Sequence, residues 1–259
     1  MVVDTVNTLK VRGDIRKEEF NYRFIFFGGS PTPNPIISYF EKFFRVPLRE
    51  IYGLTEATGF VVSYREGEPW ELGSMGKIMK QVAKYRIVNP KRLNEKKTLS
   101  DSNEGVLLLQ GDTITSGYLN RQELNQERFI GGWFNTKDVV KVDENNLMYY
   151  LGRMDEMIIS GGENVYPQEV ESFIASHPDV KEVAVIGTPH ERWIEAVTAI
   201  VVPKREELSP DDVLNYCKNS SSLAPYKWPK RVFITNELPK TGSGKVNKAA
   251  LKDLYRNKS

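Results

Sequence analysis

The chain has 259 residues and a net charge of +2, which argues against a nucleic-acid binder; its 40% apolar and 27% charged composition is that of a globular protein with room for one large or two ordinary domains. One cysteine, Cys217, excludes an intramolecular disulfide and a cysteine-built zinc site, and two distant histidines, His177 and His190, argue against a histidine metal centre. No apolar run approaches the roughly 18 residues of a membrane span, and the start Met1-Val2-Val3-Asp4 does not read as a secretory signal, so the cytoplasm is the expected compartment.

Residues 1–22 are polar and read as a helical or loosely ordered entry. Arg23–Phe27 is an aromatic, apolar strand that runs into Gly28-Gly29-Ser30. Paired glycines there let backbone approach a flat ligand closely, or simply turn the chain towards the helix that starts at Pro35. Ile36, Ile37, Phe40, Phe43 and Phe44 share one face of that helix, as core or as pocket wall. Tyr52-Gly53-Leu54-Thr55-Glu56 follows. Thr55 can donate to a phosphate oxygen and Glu56 can hold magnesium, a hard cation that prefers oxygen; equally, Thr55 can cap a helix whose dipole favours Glu56. Residues 70–118 read as an all-β region with strands at 83–88 and 105–110, and the basic stretch Lys84–Lys97 as a solvated hairpin. Ser100–Glu104 reads as a turn. Gly117-Tyr118-Leu119-Asn120 leads into a short helix before Arg128-Phe129 and reads as structural.

Trp133-Phe134-Asn135-Thr136-Lys137-Asp138 puts a carboxylate after a turn and before the strand Val139–Val142. Such a group can accept both hydroxyls of a ribose, or be an ordinary strand-entry aspartate. Asn145-Asn146 turns the chain into a second strand, 147–151. Gly152-Arg153-Met154-Asp155 is then a charged turn, Met157–Ile159 a short strand, and Ser160-Gly161-Gly162 a loop before a helix opened by Pro167, with Val170, Phe173 and Ile174 on one face. Beyond lies an α+β alternation: helix 167–177, strands 183–187 and 196–202, helix 210–218 with Cys217 as a small apolar side chain, strand 231–235 and helix 248–256. Pro239-Lys240-Thr241-Gly242-Ser243-Gly244-Lys245-Val246 fails as a Walker loop, because Val246 and Pro239 stand where a hydroxyl residue and a glycine are needed. It is a glycine loop presenting Lys245, either to solvent or as a cation that neutralises charge when a carboxylate attacks phosphorus.

Taken in order, these segments resemble the adenylate-forming superfamily: acyl- and aryl-CoA synthetases, adenylation domains of peptide synthetases, and luciferases. The resemblance implies a mixed α/β and α+β fold. Residues 1–154 would be the C-terminal part of the large AMP-binding domain, an α/β segment plus a β-barrel-like region, and residues 155–259 a small mobile α+β domain. It implies ATP and Mg2+, with coenzyme A as co-substrate, and the activation of a carboxylic acid, fatty or aryl, to an acyl-adenylate and then a thioester. Gly28, Gly29, Ser30, Tyr52 and Gly53 would line the nucleotide. Thr55 would meet its phosphate, Glu56 the magnesium, Asp138 the ribose, and Arg153 the ribose or phosphates. Asp155 would be the hinge, Gly161 and Gly162 would flank the pantetheine channel, and Lys245 would be catalytic together with Thr55 and Glu56. The chain departs from the family pattern at Lys137 and Ile194, where glycine is usual, and at Trp228. No Ser/Thr/Gly-rich phosphate loop precedes Gly28, so the expectation is the C-terminal half of such a ligase, as a fragment, a split-gene product or a half that needs a separate N-terminal chain as partner, with an exposed apolar face where the missing half would dock. The alternatives are an amino-acid adenylation module serving a carrier protein, and a non-catalytic nucleotide-binding or scaffolding half.

Overall fold

The computed structural model describes residues 22–29, 32, 34–90, 103–242 and 244–256. The polar entry, Ser30 and the basic stretch from 91 to 102 lie outside these described residues, as does most of the turn expected at 100–104. The chain divides into two compact units, Met1–Met154 and Asp155–Ser259. Among the described residues no helix is long and apolar enough to cross a membrane.

The first unit begins with an α/β segment. Strand β1 (Ile25–Phe27) pairs in parallel with β2 (Leu48–Glu50), and α1 (Asn34–Phe44) connects them. Ile37 and Phe40 of α1 are buried against Phe27 and Leu48, with Ile36 and Phe44 alongside. Most of that helix face is therefore core, while Phe43 stacks on Tyr39 and meets Phe44 edge to face. Then β3 (Tyr52–Leu54), β4 (Gly59–Ser63) and β5 (Lys77–Ile78) form an antiparallel sheet. A larger antiparallel sheet runs in the order β10 (Met148–Arg153), β9 (Trp133–Val142), β7 (Glu104–Gln110), β6 (Lys84–Val88), with β8 (Phe129–Ile130) also on β9. The short helix α2 (Gln122–Arg128) precedes β8. Val61, Val62, Met75, Ile87, Leu107, Leu109, Val140 and Met148 form one buried cluster shared by the two antiparallel sheets.

The second unit is one sheet between helices. β13 (Val180–His190) and β14 (Ile194–Pro203) form a long hairpin; β15 (Arg231–Ile234) adds in parallel to β14, and the small hairpin β11 (Ile158–Ser160) and β12 (Glu163–Val165) joins its start. Side chains alternate along a strand with period two, and here both faces are covered. Val197, Ala199 and Val201 pack with α3 (Pro167–Ile174) and α4 (Pro210–Lys218), while Ile200 and Val202 pack with α5 (Lys248–Tyr255) through Leu251 and Tyr255. Cys217 is fully buried in the first of these clusters, and burial pushes its thiol up to about 11. Helix α4 starts at a capping box, with Ser209 and Asp212 bonding each other's backbone N–H. The architecture is the expected α/β and α+β mixture.

Two local expectations need correction. The segment after Ile159 is a hairpin, not a loop: Ser160 pairs with Glu163 across a two-residue Gly161-Gly162 turn, with φ of 63° and 89°. Two successive left-handed residues suit a primed hairpin turn, and glycine adopts them freely. Thr55 does not cap a helix. It is the first residue of a one-turn 3₁₀ helix, Thr55–Ala57, whose cap position is Leu54.

Candidate active site

Asp138 is the centre of the site in the first unit. It lies within β9 rather than at a strand entry, inside an irregularity between Asn135 and Val139. Lys137 has φ of 61°, and the Asn135 side chain accepts its N–H at 2.9 Å. Thr136 Oγ donates to the Leu107 carbonyl (2.8 Å) and accepts the Asp138 N–H (3.0 Å). This bulge re-aims the chain, as bulges beside functional sites often do. The Asp138 carboxylate is 8% exposed, and it gathers groups remote in sequence. Tyr52 Oη donates to Oδ2 at 2.5 Å, and Arg153 Nη1 approaches Oδ1 at 3.4 Å.

Burial pushes the Asp138 carboxyl above its usual range, opposed by the Tyr52 hydrogen bond and the Arg153 charge. Burial and the Asp138 charge push the Tyr52 phenol well above its ordinary value, so Tyr52 is a committed donor. The carboxylate is thus held by two donors in a poorly solvated place, where further hydroxyls can satisfy its remaining lone pairs.

Arg128 supports this arrangement and was missed in the sequence, where it reads as the end of a short helix. Its guanidinium is buried, donates to the carbonyls of Asn135 (2.7 Å) and Thr136 (3.3 Å), and lies 5.0 Å from the Phe134 ring centroid. Arg153 donates to the same Thr136 carbonyl at 3.2 Å. Lys137 forms an ion pair with Glu127.

Thr55 is exposed and Glu56 half-buried on the 3₁₀ turn after β3. Among the described residues no group of three His, Cys, Asp or Glu side chains could hold a metal by itself. A carboxylate and a hydroxyl nevertheless suit magnesium, which commonly takes one or two carboxylates and completes its shell with water and phosphate oxygens. Glu56 fits that role together with a polyphosphate. Tyr118, read from sequence as part of a linker, donates its hydroxyl to Glu56 Oε1 at 2.6 Å.

The glycines divide. A Cβ on Gly28 would lie 2.6 Å from the Ile51 carbonyl oxygen, and one on Gly53 would lie 2.2 Å from that of Gly59. Both positions exclude a side chain because a neighbouring strand passes. Gly29, exposed with φ of 86°, meets nothing within 4 Å.

In the second unit Lys245 is exposed on a compact loop. Lys240 bridges to Val246, the Thr241 N–H donates to the Lys245 carbonyl (2.7 Å), and the Gly244 N–H donates to the Thr241 carbonyl (2.9 Å). Three residues on, Lys248 is half-buried between Glu156 (2.8 Å) and Glu171 (3.0 Å). Burial draws its pKa down, but the two carboxylates outweigh burial and hold it above the usual value. Asp155 is exposed on the 3₁₀ turn Met154–Glu156. Gly161 donates its N–H to the Trp193 carbonyl (2.9 Å), and a Cβ there would lie 2.9 Å from the indole; Gly162 meets nothing within 4 Å. Lys227 is engaged by both oxygens of Glu169 at 2.6 Å.

The family described as AMP-binding enzyme matches residues 4–119, and the AMP-binding enzyme C-terminal domain matches residues 169–245. A long-chain-fatty-acid–CoA ligase, FadD13 of Mycobacterium tuberculosis, is 34% identical over 236 residues, covering 91% of this chain and 45% of that protein. Among solved structures, an ATP-bound RpMatB-BxBclM chimera superposes with a TM-score of 0.84 at 30% identity, covering 98% of this chain and 50% of the other. O-succinylbenzoate coenzyme A synthetase (MenE) from Bacillus subtilis, in complex with ATP and magnesium ion, gives a TM-score of 0.78 at 29% identity, covering 98% of this chain and 54% of the other. The chain therefore belongs to the AMP-binding, adenylate-forming enzyme family and spans about half the length of the relatives it matches.

Proposed function

We propose that the chain is the C-terminal half of an AMP-forming acid–CoA ligase. Residues 1–154 are read as the C-terminal part of the large AMP-binding domain, and residues 155–259 as the small mobile domain with Asp155 at the hinge. The observation that carries the reading is the convergence of Tyr52, Asp138 and Arg153 on one buried carboxylate, from positions 86 and 15 residues away from it in sequence.

In this reading Asp138 accepts the ribose hydroxyls, with Tyr52 and Arg153 fixing its orientation. Gly28, Gly29, Ser30 and Gly53 line the nucleotide, with Gly29 the one whose missing side chain leaves open space. Thr55 donates to a phosphate oxygen, and Glu56 holds magnesium. That ion, when bound, screens the phosphate charge. Lys245 brings a positive charge to the attacking carboxylate and the phosphate, so that the acid displaces pyrophosphate and an acyl-adenylate forms. In the second half-reaction the thiol of coenzyme A replaces AMP, its thin arm passing Gly161 and Gly162, of which Gly162 has open space where a side chain would stand.

The names of the relatives support coenzyme A over a carrier protein, and fatty or aryl acids as the substrate class. A single cysteine fits a cytoplasmic enzyme. The test is carboxylate-dependent ATP–pyrophosphate exchange over a panel of aryl, medium-chain and long-chain acids. It is run with the 259-residue chain alone and with an upstream half supplied in trans. Acid-dependent exchange that falls at least about a hundredfold in Lys245→Ala is expected. Absence of exchange in both arrangements overturns the reading, and carrier-protein loading without use of coenzyme A replaces it with the adenylation-module alternative.

A further inference from the structure

Glu56 has little of its own to hold it. It lies on a single 3₁₀ turn between β3 and β4, it is half-buried, and its side chain has three rotatable bonds to order. Segment 111–118 supplies what the turn lacks. The Thr115 N–H donates to the Glu56 carbonyl at 2.7 Å, and Tyr118 Oη donates to Oε1 at 2.6 Å. Backbone and carboxylate are thereby tied to the same segment. The other oxygen, Oε2, makes no hydrogen bond among the described residues.

Tyr118 is itself fixed at its peptide. Asn125 of α2 accepts the Tyr118 N–H at 2.7 Å and donates to the Tyr118 carbonyl at 2.9 Å, so one amide brackets the residue. The preceding Gly117 permits this closeness, since a Cβ there would lie 3.2 Å from the Asn125 amide nitrogen. A rigid line thus runs from helix α2 through Asn125 and Tyr118 to one oxygen of Glu56, leaving the other turned away from that bond.

We propose that Tyr118 is a positioning residue that sets the Glu56 carboxylate to receive a divalent cation through Oε2. The proposal rests on the reading of Glu56 as a magnesium ligand. Its physical content is general: a ligating carboxylate is oriented by an outer hydrogen bond, and removing that partner commonly costs ten- to a hundredfold in metal affinity. A tyrosine whose role is only to pack the loop would affect stability and all nucleotide binding alike.

The test is titration of ATP into the full 259-residue chain with the upstream half supplied in trans, once in excess Mg2+ and once in EDTA. The readout is the ratio of the two affinities. The wild-type chain should bind ATP more tightly in Mg2+, and Glu56→Gln should remove that advantage. Tyr118→Phe should cut it about tenfold while leaving the affinity in EDTA unchanged. Asn125→Ala, which touches neither Glu56 nor the cation, should give a smaller loss in the same direction. It also serves as a second route should Tyr118→Phe fold poorly. If Glu56→Gln loses the advantage while Tyr118→Phe and Asn125→Ala keep it, Glu56 remains a ligand and the role of Tyr118 is overturned. Equal weakening of Tyr118→Phe in Mg2+ and in EDTA makes it a packing residue and also overturns the proposal. A wild-type chain without an Mg2+ advantage, or a Glu56→Gln variant that retains one, overturns the Glu56 reading and the proposal with it.

Discussion

Asp138 and Lys245 are the two charged groups on which the proposed chemistry turns, and their surroundings are opposite. Asp138 is buried inside a strand, gripped by Tyr52 and Arg153, with its backbone set by a threonine-pinned bulge. Lys245 is exposed on a turn closed by backbone bonds. The proposed recognition group is held by its own neighbours; the proposed reactive cation is only presented. Its loop is anchored three residues further on, where Lys248 is locked between Glu156 and Glu171. Two lysines in almost the same stretch therefore differ in their surroundings, one exposed and proposed to be reactive, the other held by two carboxylates.

The sharpest way to break this contrast is to remove each lysine in turn. Lys248→Ala leaves two carboxylates facing a site shaped for a cation, and breaking such a pair costs about 3 kcal/mol. The urea-induced unfolding transition of residues 155–259 should shift accordingly. Lys245→Ala should leave that transition in place within about 0.5 kcal/mol, because a substitution at an exposed site touches no packed contact. Equal shifts for the two variants would show that the Lys245 loop is as tightly integrated as α5, and the contrast would be lost.

Buried acids in the first unit offer a second, smaller test. Burial pushes the Glu50 carboxyl up to about 7, with no ion pair for it among the described residues. Because the folded pKa lies above the unfolded one, the native state binds the extra proton. Stability is then highest below pH 4.5 and falls as the pH rises to about 7. Asp138, also raised, contributes with the same sign. Glu50→Gln removes its own part, so the variant should exceed the wild type by up to about 3 kcal/mol at pH 8 and match it near pH 4. A gain that is the same at both pH values would show that packing, and not ionisation, governs Glu50. In the second unit Lys248 should show no such behaviour across this window, since two carboxylates compensate it.

Much of the fold was legible because the signals are local. Helix 210–218 has Ser209-Pro210 at its start and an i, i+3, i+4 pattern within it, and its observed bounds are Pro210–Lys218. Strand 196–202 is a run of small and β-branched residues buried on both faces, observed as Ile194–Pro203. The β11–β12 hairpin was not legible as one. Glu163-Asn164-Val165 is too short and polar to announce a strand, and Gly161-Gly162 fits a loop as well as a primed turn. In the site, positions 52, 56, 138 and 153 stood out as candidates through the family resemblance. The bonds joining them did not, because Tyr52 and Asp138 meet only when β3 and β9 are folded. Arg128 and Tyr118 were missed for the same reason: each acts through a side chain reaching another element, and no spacing in the sequence encodes that reach.

The smallest expected effects concern the two positions where this chain departs from its family's glycine. Lys137 and Ile194 have φ of 61° and 68°, a left-handed backbone that costs an L-residue roughly 1–2 kcal/mol. For β-branched isoleucine this is a marked outlier. Ile194 is 66% exposed at the β13–β14 turn, so its side chain gains little from burial. Ile194→Gly relieves the strain and loses roughly 0.5–1 kcal/mol to the greater freedom of the unfolded chain. A net stabilisation of about 0.5–1 kcal/mol is expected from the unfolding of residues 155–259. Lys137→Gly relieves similar strain but gives up the ion pair with Glu127 and a side chain only 17% exposed, so it should come out near zero. Should Ile194→Gly destabilise instead, the exposed side chain must gain something at that turn, and its neighbour Trp193, packed over Gly161, is where the compensating contact would be sought.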